Sequence, residues 1–284
     1  MKLHKPHADL FIPDGLPADK ALARTTHMGI GAHQDDLEYM MYHPILNCFR
    51  KSDKWFTGVT VTDGRGSART GPYADYTDEQ MREVRRREQR HAAVLGEYAA
   101  MAQLDYSSKE AKDPANSALV EDLKALLLAA KPEAVYTHSP ADKHDTHVAV
   151  VVPVVQAIRA LPKDRRPKAL YGMEAWRSHD WIQDDEKVIF DVSAREHLFA
   201  SLSGVWDSQI GGGKRYDLGC AGRKRGNATL LASHSTDKAT LLEFGMDLTP
   251  LVQDDSLDLV EHARGFIRRF EADVVARLSK RLGR

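Results

Sequence analysis

Two short stretches of this 284-residue chain concentrate side chains that bind metals and move protons. One reads Ala32-His33-Gln34-Asp35-Asp36-Leu37-Glu38, the other Lys143-His144-Asp145-Thr146-His147. A hydrolytic zinc site takes three His or carboxylate ligands and leaves one position for water. It also needs a base for the water's proton and an acid for the leaving group. Together the two stretches hold enough groups for all of these tasks. His33 and Asp36, three apart across a tight turn, can face one ion, and His147 can close a three-ligand set. Asp35 is then left free beside the metal, a natural base. His144 is left as a cation facing a developing oxyanion, or as the acid. Each cluster alone has a structural alternative. Asp35 or Asp36 could cap a helix beginning near Leu37, since Asp is a preferred N-cap, and His-x-x-His at 144 and 147 could be a solvated helix start. Their joint occurrence, each after a strand-like run, favours the site. Glu38 reads as support behind the ligands, and Gln34 as an amide bonded to its own loop.

Such a site needs elements that bring two distant stretches together. Residues 26–33 and 55–62 read as strands, the second rich in β-branched and aromatic residues. Residues 37–50 look helical but interrupted by Pro44. Residues 78–96 carry the clearest helical stripe, Met81, Val84, Glu88, Ala92 and Leu95, with Glu88 as an inward carboxylate awaiting an Arg partner. Helices are expected at 117–130, at 146–161 despite Pro153, at 194–204 and at 257–281; strands at 132–138, 168–173 and 187–192. This alternation implies an α/β fold, a Rossmann-like three-layer sandwich with a mostly parallel sheet and helices on both faces. In such sheets ligands bind beyond the carboxyl ends of the strands, where both clusters fall. A single domain spanning 1–284 is expected. Residues 1–25 form an N-terminal arm, and residues 205–256 a loop-rich closing segment in which the Gly- and Arg-rich run 211–226 is a mobile loop.

A net charge of −1 gives no electrostatic case for a nucleic-acid or anionic-membrane partner. The hydrophobic fraction of 42% and the lack of any apolar run of membrane-spanning length point to a soluble protein, with the cytoplasm as the expected compartment. Cys48 and Cys220 match no zinc or redox spacing. No Gly-x-Gly-x-x-Gly follows the first strand, which argues against a dinucleotide site.

AHQDDLE resembles the AHPDDE-type signature of the PIG-L/LmbE-like zinc-dependent N-acetylglucosaminyl deacetylases, and KHDTH resembles their second motif, H-P-D-H. GVTVTDGRGSART (58–70), RRREQRHAAVLGE (85–97) and FDVSAREHLFASLSGVWDSQ (190–209) are similar to later family segments. The resemblance implies Zn2+, or another divalent metal, held by His33, Asp36 and His147. It implies Asp35 as the base and His144 as oxyanion stabiliser or acid. It also implies Arg65, in the Gly-rich loop, as a substrate contact. The Pro of each family motif is replaced, by Gln34 in the first and again in the second, which reads His144-Asp145-Thr146-His147, and neither substituted position is a ligand. The implied activity is removal of acetyl from a small N-acetylated amino sugar or its glycoside. An amidase for another N-acyl compound, such as a thiol conjugate, and a non-catalytic sugar-binding relative are the competing readings. Trp176, Trp181, His138 and His234 are further candidates without a spacing argument, and self-association is left open.

Overall fold

The strand that ends at the first cluster, β2 (His27–Gly31), lies in the middle of one eight-stranded sheet. The computed structural model describes residues 1–284. The other strands are β1 (Asp9–Phe11), β3 (Phe56–Thr62), β4 (Ala100–Tyr106), β5 (Ala134–His138), β6 (Ala169–Met173), β7 (Val188–Asp191) and β8 (Leu242–Asp247). Their order is β1-β4-β3-β2-β5-β6-β8-β7. β4, β3, β2, β5 and β6 run parallel, whereas β1, β8 and β7 are added antiparallel. The chain therefore builds outward from β2 to one side, then returns and builds from β5 to the other. A crevice forms where that order reverses, outside the carboxyl ends of β2 and β5.

Twelve helices accompany the strands, the last two following β8. The first six are α1 (Ala18–Ala23), α2 (Asp36–Met40), α3 (Tyr42–Cys48), α4 (Asp78–Leu95), α5 (Ser108–Ala111) and α6 (Ser117–Ala130). The others are α7 (Asp145–Arg159), α8 (Glu196–Gly204), α9 (Asp207–Ile210), α10 (Tyr216–Leu230), α11 (Thr249–Gln253) and α12 (Leu259–Leu282). One face of the sheet buries Met28, Ile30, Val59, Val61 and Val135 under α6, α7 and α11. The other buries Phe56, Met101 and Tyr136 under α2, α3, α4, α8 and α10. Alternate residues of each strand thus feed opposite cores. No helix is long and apolar enough to cross a membrane.

Several elements differ from the sequence reading. The helical stretch 37–50 does break, but at Met41, which has a φ of −129°. Pro44 sits in the first turn of α3, where a missing N–H costs nothing. β4 has no counterpart among the expected elements. Its buried polar residues hide it, because Asp105 is neutralised by Arg82 of α4 through bonds of 2.7 and 2.6 Å. The N-terminal arm contributes an edge strand, β1, and the helix α1. Residues 205–256 are not loop-rich. They hold α9, the fifteen-residue α10, α11 and β8, an interior strand. Residues 216–226 of the supposed mobile loop are helix.

Two features fix the turn after β2. Leu37, fully buried, packs over Gly29 and Gly58; a Cβ on Gly58 would lie 2.7 Å from its Cδ1. The sheet thus opens a slot for the first turn of α2. At the other end of α2 the buried Lys224 Nζ donates to the Tyr39 carbonyl at 2.6 Å and pairs with Glu243 at 2.9 Å. Glu243 in turn accepts the Tyr42 and His43 N–H groups at 3.0 and 2.8 Å. One buried ion pair therefore caps both sides of the α2–α3 break.

Candidate metal centre

The crevice at the β2/β5 reversal is a cavity of about 470 Å³ whose lining includes His33, Asp35, Asp36, His144 and His147. β2 delivers His33 and α2 delivers Asp36. α7 begins just after His144 and carries His147 in its first turn. His33 Nδ1 lies 3.4 Å from Asp36 Oδ2. His147 Nε2 lies 3.4 Å from Asp36 Oδ1 and 3.3 Å from His33 Nδ1. Ligands about 2.0–2.1 Å from a common tetrahedral centre stand about 3.3 Å apart; the two imidazole nitrogens meet that spacing, and each lies 3.4 Å from a different oxygen of Asp36. Two overlapping triads, Asp36–His138–His147 and His33–His144–His147, also keep their donor atoms within 4.8 Å.

The tautomer of His147 supports the fit. Its Nδ1 lies 3.0 Å from Oδ2 of Asp142, a carboxylate that cannot donate, so Nδ1 carries a hydrogen and Nε2 is the ring nitrogen left to face the cluster. Asp142 also accepts the His144 N–H at 2.9 Å. Burial alone would depress the His147 pKa, but Asp36 and Asp142 outweigh it and raise it to about 10. Burial would raise Asp36, yet His147 and His138 hold it well below the usual carboxylate range. Asp36 also accepts the His33 N–H at 2.7 Å, which closes the turn.

Asp35 does not cap α2. It has a φ of 99°, a left-handed conformation that a non-glycine residue adopts at a cost. Its carboxylate is turned to Arg85 Nη2 at 2.9 Å. Burial raises its pKa to about 6 against the opposing pull of Arg85, with Asp36 adding to the rise. Its backbone N–H donates to Gln89 Oε1 at 3.4 Å, and Gln89 Nε2 donates to Glu38 at 3.0 Å. Glu38, fully buried, also accepts the Tyr98 hydroxyl at 2.6 Å. It thus braces the turn through Gln89 without reaching the cavity. Gln34 donates to the Thr62 carbonyl at 2.9 Å, so its amide serves the loop. Gly64 closes over it with a φ of +74°, and a Cβ there would come within 2.9 Å of Arg85 Cβ.

His144 lines the cavity with its ring 4.5 Å from that of His147 and 4.9 Å from that of His33. Burial, His147 and His33 lower its pKa. Arg65 is not brought to the cavity. It bonds Asp63 at 2.6 Å and Glu79 at 3.1 Å in a separate depression. The cations on the cavity wall are Arg85, Lys214 and Arg223, and Tyr39, Trp176 and Tyr216 are its aromatic members. His138, fully buried, accepts the Ala32 N–H at 2.8 Å and stacks on His147 with ring centres 3.9 Å apart. Trp181 and His234 do not line the cavity. Asp142 and Arg85 escape the sequence reading. The first had a signal, a carboxylate five residues before a candidate ligand.

Residues 28–158, which span both donor clusters, match the family model described as PIG-L, GlcNAc-PI de-N-acetylase. The matched stretch, 131 of the 284 residues, is similar to that family. No curated protein matches this chain by sequence. Solved structures share its fold at low identity. A 4-carboxy-2-hydroxymuconate hydratase from Pseudomonas putida is 14% identical with a TM-score of 0.64, covering 79% of this chain and 96% of its own. The N,N'-diacetylchitobiose deacetylase from Pyrococcus horikoshii is 13% identical with a TM-score of 0.61, covering 81% and 86%. The deacetylase of the A40926 pseudoaglycone is 18% identical with a TM-score of 0.56, covering 79% and 97%. A hydratase and two deacetylases on one fold mean that the reaction must be argued from the site.

Proposed function

We propose that this chain is a metal-dependent deacetylase that hydrolyses the acetamide of an N-acetylated amino sugar or its glycoside. The observation that carries the reading is the cluster of His33 and His147, 3.3 Å apart and each 3.4 Å from one oxygen of the Asp36 carboxylate, with the ionisable Asp35 beside it in the same cavity. An imidazole and carboxylate set of this kind suits zinc, among other divalent ions. When bound, the ion would supply Lewis acidity, polarising a carbonyl and easing loss of a proton from water.

The chain's own groups account for the rest. Asp35 takes a proton from the attacking water, and a carboxyl pKa of about 6 matches that task near neutral pH. His144 faces the cavity, where its ring N–H donates to the oxygen that gains charge as the carbonyl carbon becomes tetrahedral. The proton held by Asp35 then passes to the departing nitrogen, so water and amide yield acetate and a free amine. A cavity of about 470 Å³ holds more than one sugar ring. Trp176 and Tyr216, with rings 5.6 Å apart at 90°, offer a corner for a sugar face.

The test is acetate release across N-acetylated sugars and other N-acyl compounds, with and without chelator, alongside elemental analysis. Chelator-sensitive release from amino sugars is expected. Turnover confined to other N-acyl compounds would transfer the site to the amidase reading. A metal-replete protein that is inert on the whole panel would count against hydrolysis.

A further inference from the structure

A metal with three protein ligands and an open position has an obvious intruder here, since Asp35 adjoins the ligand Asp36 and lines the same cavity. A carboxylate that filled the open position would displace the water it is meant to activate. Asp35 belongs to neither donor triad in the cluster. What keeps it away is visible. Arg85 Nη2 stands 2.9 Å from its carboxylate and also donates to the Gln34 carbonyl.

The guanidinium cannot follow Asp35 toward an ion, because it is held from behind. Arg85 is 2% exposed. Its Nη1 donates to Glu88 at 3.3 Å and to the Ser208 hydroxyl at 3.1 Å, and it lies 5.2 Å from the Trp206 ring. Glu88 is pinned in turn by the Ser208 N–H at 2.7 Å and the Ser208 hydroxyl at 2.6 Å. The geometry points to Arg85 as a positioning residue that tethers Asp35 outside the metal's coordination shell, with Glu88 and Ser208 anchoring the tether to α9. This rests on the reading of His33, Asp36 and His147 as metal ligands. It gives Arg85 a task separate from charge balance, namely keeping the base a base.

Removing the tether should tighten metal binding while abolishing turnover, because an unpaired buried carboxylate seeks the nearest cation. The experiment titrates metal-free protein with Co(II) and Zn(II) against a competing chelator and records the Co(II) visible spectrum. In Arg85→Met the dissociation constant is expected to fall about tenfold, with a changed spectrum as a further oxygen ligand enters, and turnover to drop at least a hundredfold. In Arg85→Met/Asp35→Asn, which has no carboxylate to swing, affinity and spectrum should return to those of the wild type. Arg85→Lys should keep wild-type affinity and partial turnover. Should Arg85→Met fail to fold, Ser208→Ala loosens the anchor and should tighten binding more weakly, an effect again erased by Asp35→Asn. Weaker metal binding in Arg85→Met, or a change that survives Asp35→Asn, would overturn the proposal in favour of a purely structural Arg85. Failure of the wild type to bind either ion would instead overturn the metal reading itself.

Discussion

Asp142 is the residue on which the donor geometry can be tested most sharply, through Asp142→Asn. The substitution keeps size and shape but replaces one acceptor oxygen by an NH2 donor. Asp142 now serves two donors, the ring Nδ1–H of His147 at 3.0 Å and the backbone N–H of His144 at 2.9 Å. An asparagine can accept from only one of them. If its oxygen serves the His144 N–H, the NH2 faces His147 Nδ1 and turns the ring to the other tautomer. The hydrogen then sits on Nε2, between donors 3.3 and 3.4 Å away, and that nitrogen cannot bind an ion. If the oxygen serves His147, the NH2 opposes a buried N–H instead. Either arrangement carries a cost. Loss of a carboxylate behind a ligating histidine weakens metal binding about 10- to 100-fold, or about 1.4–2.7 kcal/mol. The assay is a Zn(II) competition titration against a chelator of known affinity, with thermal unfolding of the metal-free protein as control. An unchanged affinity with an intact fold would refute the assignment of His147 Nε2 as a donor fixed by Asp142.

Three further outcomes are expected. Asp35→Ala should retain stoichiometric metal by elemental analysis and lose roughly a hundred- to ten-thousand-fold in kcat; near-normal kcat would remove Asp35 from the role of base. Lys224→Met leaves Glu243 buried without its cation, which costs about 3–5 kcal/mol in denaturant unfolding, and an effect below 1 kcal/mol would show that the pair does not hold the α2–α3 break. Burial raises the pKa of Glu174 from its ordinary 4.5 to about 7, against the His179 N–H and Trp181 bonds that favour its charged form. Its stabilising contribution is therefore full at low pH and lost as pH rises from 4.5 toward 7, by up to about 3 kcal/mol. Glu174→Gln should flatten that fall in unfolding free energy, and an unaltered slope would contradict it.

The clustering of the candidate donors was legible because their chemistry is unusual and their places are dictated by topology. Few structural roles put His and Asp at the ends of two strands that an α/β sheet must bring to one edge. The groups that orient the donors were harder to see. Arg85, Arg86 and Arg87 are identical in sequence, yet the first is buried, the second half-buried and the third exposed. Only the inward phase of α4, shared with Glu88, separates them. Glu88 read correctly as an arginine's partner, while its bonds to Ser208 needed a segment far along the chain. α10 was missed because Gly219, Gly222 and Gly226 lower its intrinsic helix propensity. Cys220, Lys224, Asn227 and Ala228 recur on its inner face, and their packing overrides that preference. Arg65 was carried into the site by a resemblance of loop sequence, whereas Asp63 and Glu79 draw it elsewhere.

The ion pair at the α2–α3 break also sets an order of biosynthesis. Every candidate donor has left the ribosome by residue 147, but the turn that presents Asp36 is closed behind by Lys224 and Glu243. Glu243 arrives on β8, which must slip between β6 and β7 after both have been made. A nascent chain therefore exposes the candidate donors long before Glu243 can close the turn behind Asp36, and an ion held by them is expected to be retained only once the sheet is complete. Stalled chains released after β7 and after β8 should differ accordingly, only the longer retaining the ion through a desalting column.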